Sequence, residues 1–305
     1  MPLHIETPLV ESRPLTLAAG CPVWLKLEVV QPSGSFKLRG IGRACEVYRA
    51  RGARRFVSSS GGNAGLAVAY AGRRLEVPVT VVVPETTTPR ARELLGLEGA
   101  EVVVHGASWQ EANDLARSLV GPADAFLHPF DDPLLWEGHA TLIDEVARCG
   151  LRPGSVVLSV GGGGLLAGVV EGLRRNGWSD VPVFAVETEG AASFHAALKA
   201  GRTVELERIE SIATSLGAKR VCERALSCAG EHPIRSVLVS DRSALQACER
   251  FLADHRLFVE PACGASLAVA YERPADLAGL DPVLVIVCGG TTCTLDQLLA
   301  WRAAS

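Results

Sequence analysis

Ser155-Val156-Val157-Leu158-Ser159-Val160-Gly161-Gly162-Gly163-Gly164-Leu165-Leu166-Ala167-Gly168 runs from an apolar segment of strand length, through consecutive glycines, into a helical pattern. Glycine loses more conformational entropy on folding than any other residue. Such a run is justified where bare backbone amides must approach a ligand closely, as they do around a phosphate at a helix N-terminus. The span Pro153 to Val170 is uncharged over 18 residues, the lower edge of membrane-crossing length. Its proline and six glycines fit a strand, loop and helix start better than a lipid-facing helix.

The same alternation extends through most of the chain. Strands are expected at Val23–Val29, Arg55–Ser58, Val79–Val83, Glu101–Val104, Ser155–Val160, Val181–Val186, Ser236–Val239 and Val283–Val287. They are valine-rich and often continuously apolar, as buried parallel strands are. Helical patterns follow nearly all of them. Thr88-Pro89 reads as an N-cap with proline at the first helical position, and Ser108 as the cap of a helix through Leu119. The expected fold is α/β, with open, mostly parallel twisted sheets flanked by helices. The clearest breaks are Gly121-Pro122-Ala123-Asp124 and His128-Pro129-Phe130-Asp131-Asp132-Pro133. They suggest a small domain over 33–130 and a large one over 1–32 plus 131–305.

Bulk properties narrow the function. The 305 residues are 48% hydrophobic, enough for a substantial core, and the net charge is −4. That balance gives no electrostatic footprint for nucleic acid. The short basic cluster Arg49, Arg51, Arg54, Arg55 reads as a solvated helix end. The nine cysteines are scattered without CxxC pairs or zinc spacing, and read as reduced thiols of a cytoplasmic protein. Met1 to Pro14 lacks the charged and apolar regions of a signal peptide.

Three further segments carry candidate chemistry. In Pro32-Ser33-Gly34-Ser35-Phe36-Lys37-Leu38-Arg39-Gly40, a lysine follows a turn and an aromatic ring. A lysine held in a dry, shaped site condenses with carbonyls to form a Schiff base. Ser58-Ser59-Ser60-Gly61-Gly62-Asn63-Ala64-Gly65 follows a strand and opens a helix, where exposed amides suit a carboxylate. Val287-Cys288-Gly289-Gly290-Thr291 closes the last strand, and its plain reading is a core cysteine before a turn.

Two cofactors compete for the glycine loop. Gly162-x-Gly164-x-x-Ala167, followed by a strand and Glu187, matches a dinucleotide fingerprint. That reading leaves Lys37 and the Ser/Gly/Asn turn without work. A ligand with one phosphate and one carbonyl, joined by a substrate carboxylate, uses all three motifs. Pyridoxal phosphate with an amino acid has that composition. A neutral thiol at the pyridine nitrogen would leave that nitrogen largely unprotonated, which suits β-elimination better than transamination.

Taken together the motifs resemble the fold-type II pyridoxal-phosphate enzymes, of the tryptophan synthase β type. Within them the chain is most similar to the short L-serine/L-threonine dehydratases. The likeness covers Pro32–Gly40, Ser59–Gly65, Pro129–Pro133, Gly161–Gly164, Val259–Ala265 and Cys288–Gly290. It implies roles position by position. Lys37 would hold the cofactor and shuttle protons, Phe36 would pack on the pyridine face, and Asn63 would bond the ring hydroxyl. Gly161, Gly162, Gly163, Gly164 and Leu165 would bind the phosphate, and Cys288 would face the pyridine nitrogen. Ser60, Gly61, Asn63 and Ala64 would cradle the substrate carboxylate, with Phe130 as a wall. A monovalent cation, usually potassium in this family, would lie among Gly161, Glu187, Ala191, Ser193, Leu216 and Ala218, whereas His195 reads as structural.

The large domain would be the cofactor-binding one, and a homodimer is implied. Gly61 stands where relatives carry alanine, so extra room beside the substrate is expected. The expected reaction is conversion of L-serine to pyruvate and ammonia, and of L-threonine to 2-oxobutyrate and ammonia. The alternatives are serine racemisation or β-replacement on the same scaffold, or nucleotide binding without catalysis.

Overall fold

The computed structural model describes residues 1–272 and 274–304. Ten strands are described: β1 Leu9–Glu11, β2 Val23–Lys26, β3 Arg55–Ser58, β4 Val79–Val83, β5 Glu101–Val104, β6 Asp124–Phe126, β7 Ser155–Ser159, β8 Val183–Thr188, β9 Ile234–Val239 and β10 Val283–Ile286. They form a six-stranded sheet of order β1-β2-β10-β7-β8-β9 and a four-stranded sheet of order β5-β4-β3-β6. Every pairing is parallel except that of β1 with β2. Parallel sheets need both faces covered. β4, β7, β8 and β10 are accordingly buried along their whole length.

The sequence expectations hold with physical adjustments. β2 stops at Lys26 because the chain turns into the 3-10 segment Glu28–Val30. β8 starts at Val183 rather than Val181, since Pro182 offers no amide to the neighbouring strand. β1 and β6 have three residues each, too short to show a period, and so escaped the sequence reading.

Side chains of Ser12, Thr88, Ser108, Asp132 and Ser240 cap the helices Arg13–Ala19, Pro89–Leu97, Trp109–Ser118, Pro133–Arg148 and Asp241–His255. Ser108 and Glu111 form a full capping box. Among the described residues, no side chain caps the helices Lys37–Ala50, Asn63–Leu75 and Gly164–Arg175. The same holds of Ser193–Ala200 and Glu223–Glu231, but only the first three begin at the motifs singled out above. Their first amides are left for backbone contacts or a ligand.

Helix Lys37–Ala50 is fixed from beneath by a buried ionic network. Arg39, fully enclosed, donates to Glu28 at 2.7 and 2.8 Å and to both oxygens of Glu145 at 2.6 Å. Lys26 of β2 also reaches Glu145, and Thr7 bonds Glu28 at 2.7 Å. Two cations thus meet two carboxylates in the interior, the paired arrangement that buried charge requires.

Candidate active site

The motifs converge at the C-terminal ends of β3, β7, β8 and β10, where open parallel sheets bind ligands. The segment before Lys37 pairs with the segment after β10. Ser35 bridges Gly289, Phe36 N donates to Cys288 O at 3.1 Å, and Gly290 N donates to Gly34 O at 2.9 Å. Residues at opposite ends of the sequence thereby set Lys37 beside the Cys288 strand end.

The chain's lysines are Lys26, Lys37, Lys199 and Lys219. Lys26 is buried in its pairing with Glu145, and Lys199 and Lys219 are exposed. Lys37 differs from all of them. Its amine donates to Pro129 O at 2.6 Å and lies 5.2 Å from the Phe36 ring centroid. The side chain keeps some solvent access, but the protein around the ammonium desolvates it. Burial therefore lowers its pKa from 10.5 to about 8, against smaller opposing effects of Cys288, Cys222 and Glu260. An amine so tuned has a substantial neutral fraction near neutral pH, as a nucleophile or base requires.

The glycine loop lies against the same region. Gly163 adopts φ +91, a left-handed conformation that glycine takes without strain, and precedes the uncapped helix. A methyl on Gly162 would run into the Phe130 ring, so that ring rests on the loop itself. Gly162 O accepts from Cys222 N at 3.0 Å. Trp136 Nε1 donates to Phe130 O at 3.0 Å and steadies the segment between Pro129 and helix Pro133–Arg148. Leu165 is buried at the first turn of the helix.

Asn63 is held on all sides. Its amide donates to Glu260 Oε1 at 2.8 Å and Ser215 Oγ at 3.3 Å, and its oxygen accepts from Thr291 N at 3.0 Å. Ser60 Oγ accepts from Gly62 N at 3.3 Å at the same helix start, and Ala64 is buried in its first turn. A methyl on Gly61 would lie 2.8 Å from Thr87 Cγ2 and 3.2 Å from Val83 Cγ1. The space beside Gly61 is thus already filled by Thr87.

Glu260 stands in the Val259–Ala265 stretch, outside the roles that the resemblance implies. It is buried, and Thr292 Oγ1 also donates to it at 3.0 Å. Desolvation raises its pKa, while the hydrogen bonds from Ser215, Thr292 and Asn63 pull the other way. The signal was present: Glu260 is the lone charge between Arg256 and Glu272. Cys288 is buried with its thiol toward Ile286 O at 3.6 Å. Burial, and secondarily the neighbouring Cys288, push the Cys263 thiol well above its ordinary value.

The expected cation positions also lie close together. Gly161 follows β7, which pairs with β8 carrying Glu187, and packs on Leu216. Glu187 is sealed from solvent and accepts from Phe194 N and His195 N at 2.8 Å each. Burial raises its pKa to about 7. This enclosure keeps it from a ribose contact and removes the acid from the dinucleotide reading. Ala191 is buried, Ser193 Oγ is buried with no hydrogen-bond partner among the described residues, and Ala218 N donates to Leu216 O at 2.8 Å. His195 bonds Ser236 Oγ at 2.9 Å, consistent with a structural place.

A family profile described as "Pyridoxal-phosphate dependent enzyme" matches residues 1–289. The chain belongs to the pyridoxal-phosphate dependent enzymes. Within them it is 49% identical to the L-serine dehydratase/L-threonine deaminase of Homo sapiens, over 99% of this chain and 95% of that protein. It is 52% identical to a serine dehydratase-like protein of Rattus norvegicus, over 97% of this chain and 93% of that one. The fold matches a fungal L-serine ammonia-lyase from Rhizomucor miehei with a TM-score of 0.94, 38% identity and 99% coverage of both chains.

The residues present fit pyridoxal phosphate. Lys37 offers a desolvated amine and Phe36 an adjoining ring face. The uncapped amides after Gly163 offer a phosphate cradle. No helix among the described residues is long and apolar enough to cross a membrane.

Proposed function

We propose that this pyridoxal-phosphate dependent enzyme converts L-serine to pyruvate and ammonia: β-elimination releases one water, and hydrolysis of the resulting enamine takes one water back. L-Threonine would give 2-oxobutyrate and ammonia in the same way. The observation that carries this reading is the near full-length likeness to dehydratases, joined to a site in which Lys37 and the glycine loop lie beside the buried Cys288.

Pyridoxal phosphate, when bound, supplies the electron sink that lets an amino acid lose its α-proton. The chain's own residues do the rest. Lys37 holds the cofactor, takes the α-proton at Nζ, and is suited to it by its lowered pKa. Phe36 would back the ring, and Asn63, fixed by Glu260 and Thr291, would bond its hydroxyl. Gly161 to Gly164 and Leu165 hold the phosphate through backbone amides. Ser60, Gly61, Asn63 and Ala64 hold the substrate carboxylate, and Phe130 closes one side. Cys288 would lie toward the pyridine nitrogen.

Gly161, Glu187, Ala191, Ser193, Leu216 and Ala218 would hold a monovalent cation, potassium. The unpartnered Ser193 oxygen and the sealed Glu187 carboxylate support that placement. Residues 1–32 with 131–305 form the cofactor-binding domain and 33–130 the small one. The enzyme works as a cytoplasmic homodimer.

The test is incubation with L-serine, pyridoxal phosphate and potassium. Pyruvate and ammonia in equal amounts are expected. D-serine formed in place of pyruvate would assign a racemase instead.

A further inference from the structure

His139 is fully buried on helix Pro133–Arg148, and neither ring nitrogen has a hydrogen-bond partner among the described residues. Unpaired buried polar atoms cost stability, so packing alone would favour an apolar side chain here. Local rules are broken most often where function demands it.

The surroundings of the ring are specific. Its centroid lies 5.0 Å from that of Phe36, with the planes tilted by 56°. A methyl on Gly40 would lie 2.6 Å from His139 Cε1 and 2.7 Å from Nε2. A methyl on Gly168 would run into His139 Cβ. Gly40 stands three residues after Lys37 and Gly168 four after Gly164, so each shares a helix face with the functional residue one turn earlier. Two helices that begin at Lys37 and at the glycine loop therefore close on one histidine.

We propose that His139 is the spacer that sets the distance between Lys37 and the glycine loop, and is thus a positioning residue for the cofactor. The proposal rests on the reading that these two elements hold opposite ends of pyridoxal phosphate. Burial, with Lys37, Arg39 and His4 nearby, keeps the ring uncharged. It therefore fills the gap without adding a cation beside Lys37.

A ligand gripped at both ends depends on the spacing of the grips, whereas a ligand gripped at one end does not. The full-length apo-protein is titrated with pyridoxal phosphate by visible absorbance. Pyridoxal is followed in the same way, and inorganic phosphate by protection against thermal unfolding. His139→Ala is expected to weaken pyridoxal phosphate by about tenfold or more, and each single-ended ligand by less than about twofold. His139→Phe, which keeps a flat ring, is expected to recover most of the loss. His139→Leu carries the same comparison should the alanine variant not fold.

Unchanged pyridoxal phosphate affinity in a folded His139→Ala or His139→Leu variant would overturn the proposal. So would an equal loss for all three ligands. Lys37→Ala is the control: if it retains the lysine-linked absorbance, the underlying site reading fails, and the spacer with it.

Discussion

Asn63 and Glu260, 197 residues apart, are joined by a 2.8 Å hydrogen bond that ties the helix start after β3 to the helix Pro261–Glu272. The bond fixes which way the amide points, with its nitrogen toward Glu260 and its oxygen toward Thr291. Glu260→Ala would leave the Asn63 amide and the Thr292 hydroxyl without this acceptor. A loss of about 1–3 kcal/mol in urea unfolding is expected, with weaker cofactor retention. Glu260→Gln, which keeps an oxygen in reach, is expected to lose less on both measures.

Lys37 titrates from a depressed value. Its neutral form grows as pH rises through about 8, where an ordinary lysine titrates at 10.5. The rate at which apo-protein captures pyridoxal, followed by visible absorbance, is expected to climb with a midpoint near that lower value. A midpoint at the ordinary value would show that the site does not desolvate the amine.

Phe130 and Gly162 occupy one another's space. Gly162→Ala is expected to displace the ring or the loop and weaken pyridoxal phosphate by about tenfold or more, since the added methyl meets Phe130. Adding Phe130→Ala removes the obstruction, and the double variant is expected to bind better than Gly162→Ala alone. Strict additivity of the two losses would argue against contact between them.

The fold was legible where the sequence speaks in long apolar runs. Most expected strands fall within a residue or two of the structure, because valine-rich buried strands bounded by glycine or proline leave little choice. β1 and β6 were hidden by their brevity. The site was legible as separate motifs, each a glycine or serine turn after a strand. How Asn63, Glu260 and Thr291 lock together was not legible, because hydrogen bonds across two hundred residues leave no local pattern. His139 was silent for the same reason: its partners Phe36 and Gly40 come from one distant segment and Gly168 from another. Thr87 filling the space beside Gly61 also needs the tertiary structure, since two separate loops meet there.

Arg39 holds the helix of Lys37 in place through Glu28 and Glu145. Arg39→Met would leave two buried carboxylates without their main counter-charge, at a cost of about 3–5 kcal/mol in chemical unfolding. Burial pushes the Glu145 pKa up, but Arg39 and Lys26 together hold it below the ordinary 4.5. That contribution is present above the ordinary value and is lost as pH falls through the lower folded one. Acid unfolding of Arg39→Met is therefore expected to begin at higher pH than that of the wild type.

The central claim is that Lys37 carries the cofactor and the chemistry. Holo-enzyme reduced with borohydride and mapped by peptide mass spectrometry tests it most directly. The account predicts the phosphopyridoxyl mass on Lys37, and none on Lys26, Lys199 or Lys219, with no pyruvate from L-serine in Lys37→Ala. The label on another lysine, or substantial pyruvate from that variant, would contradict it.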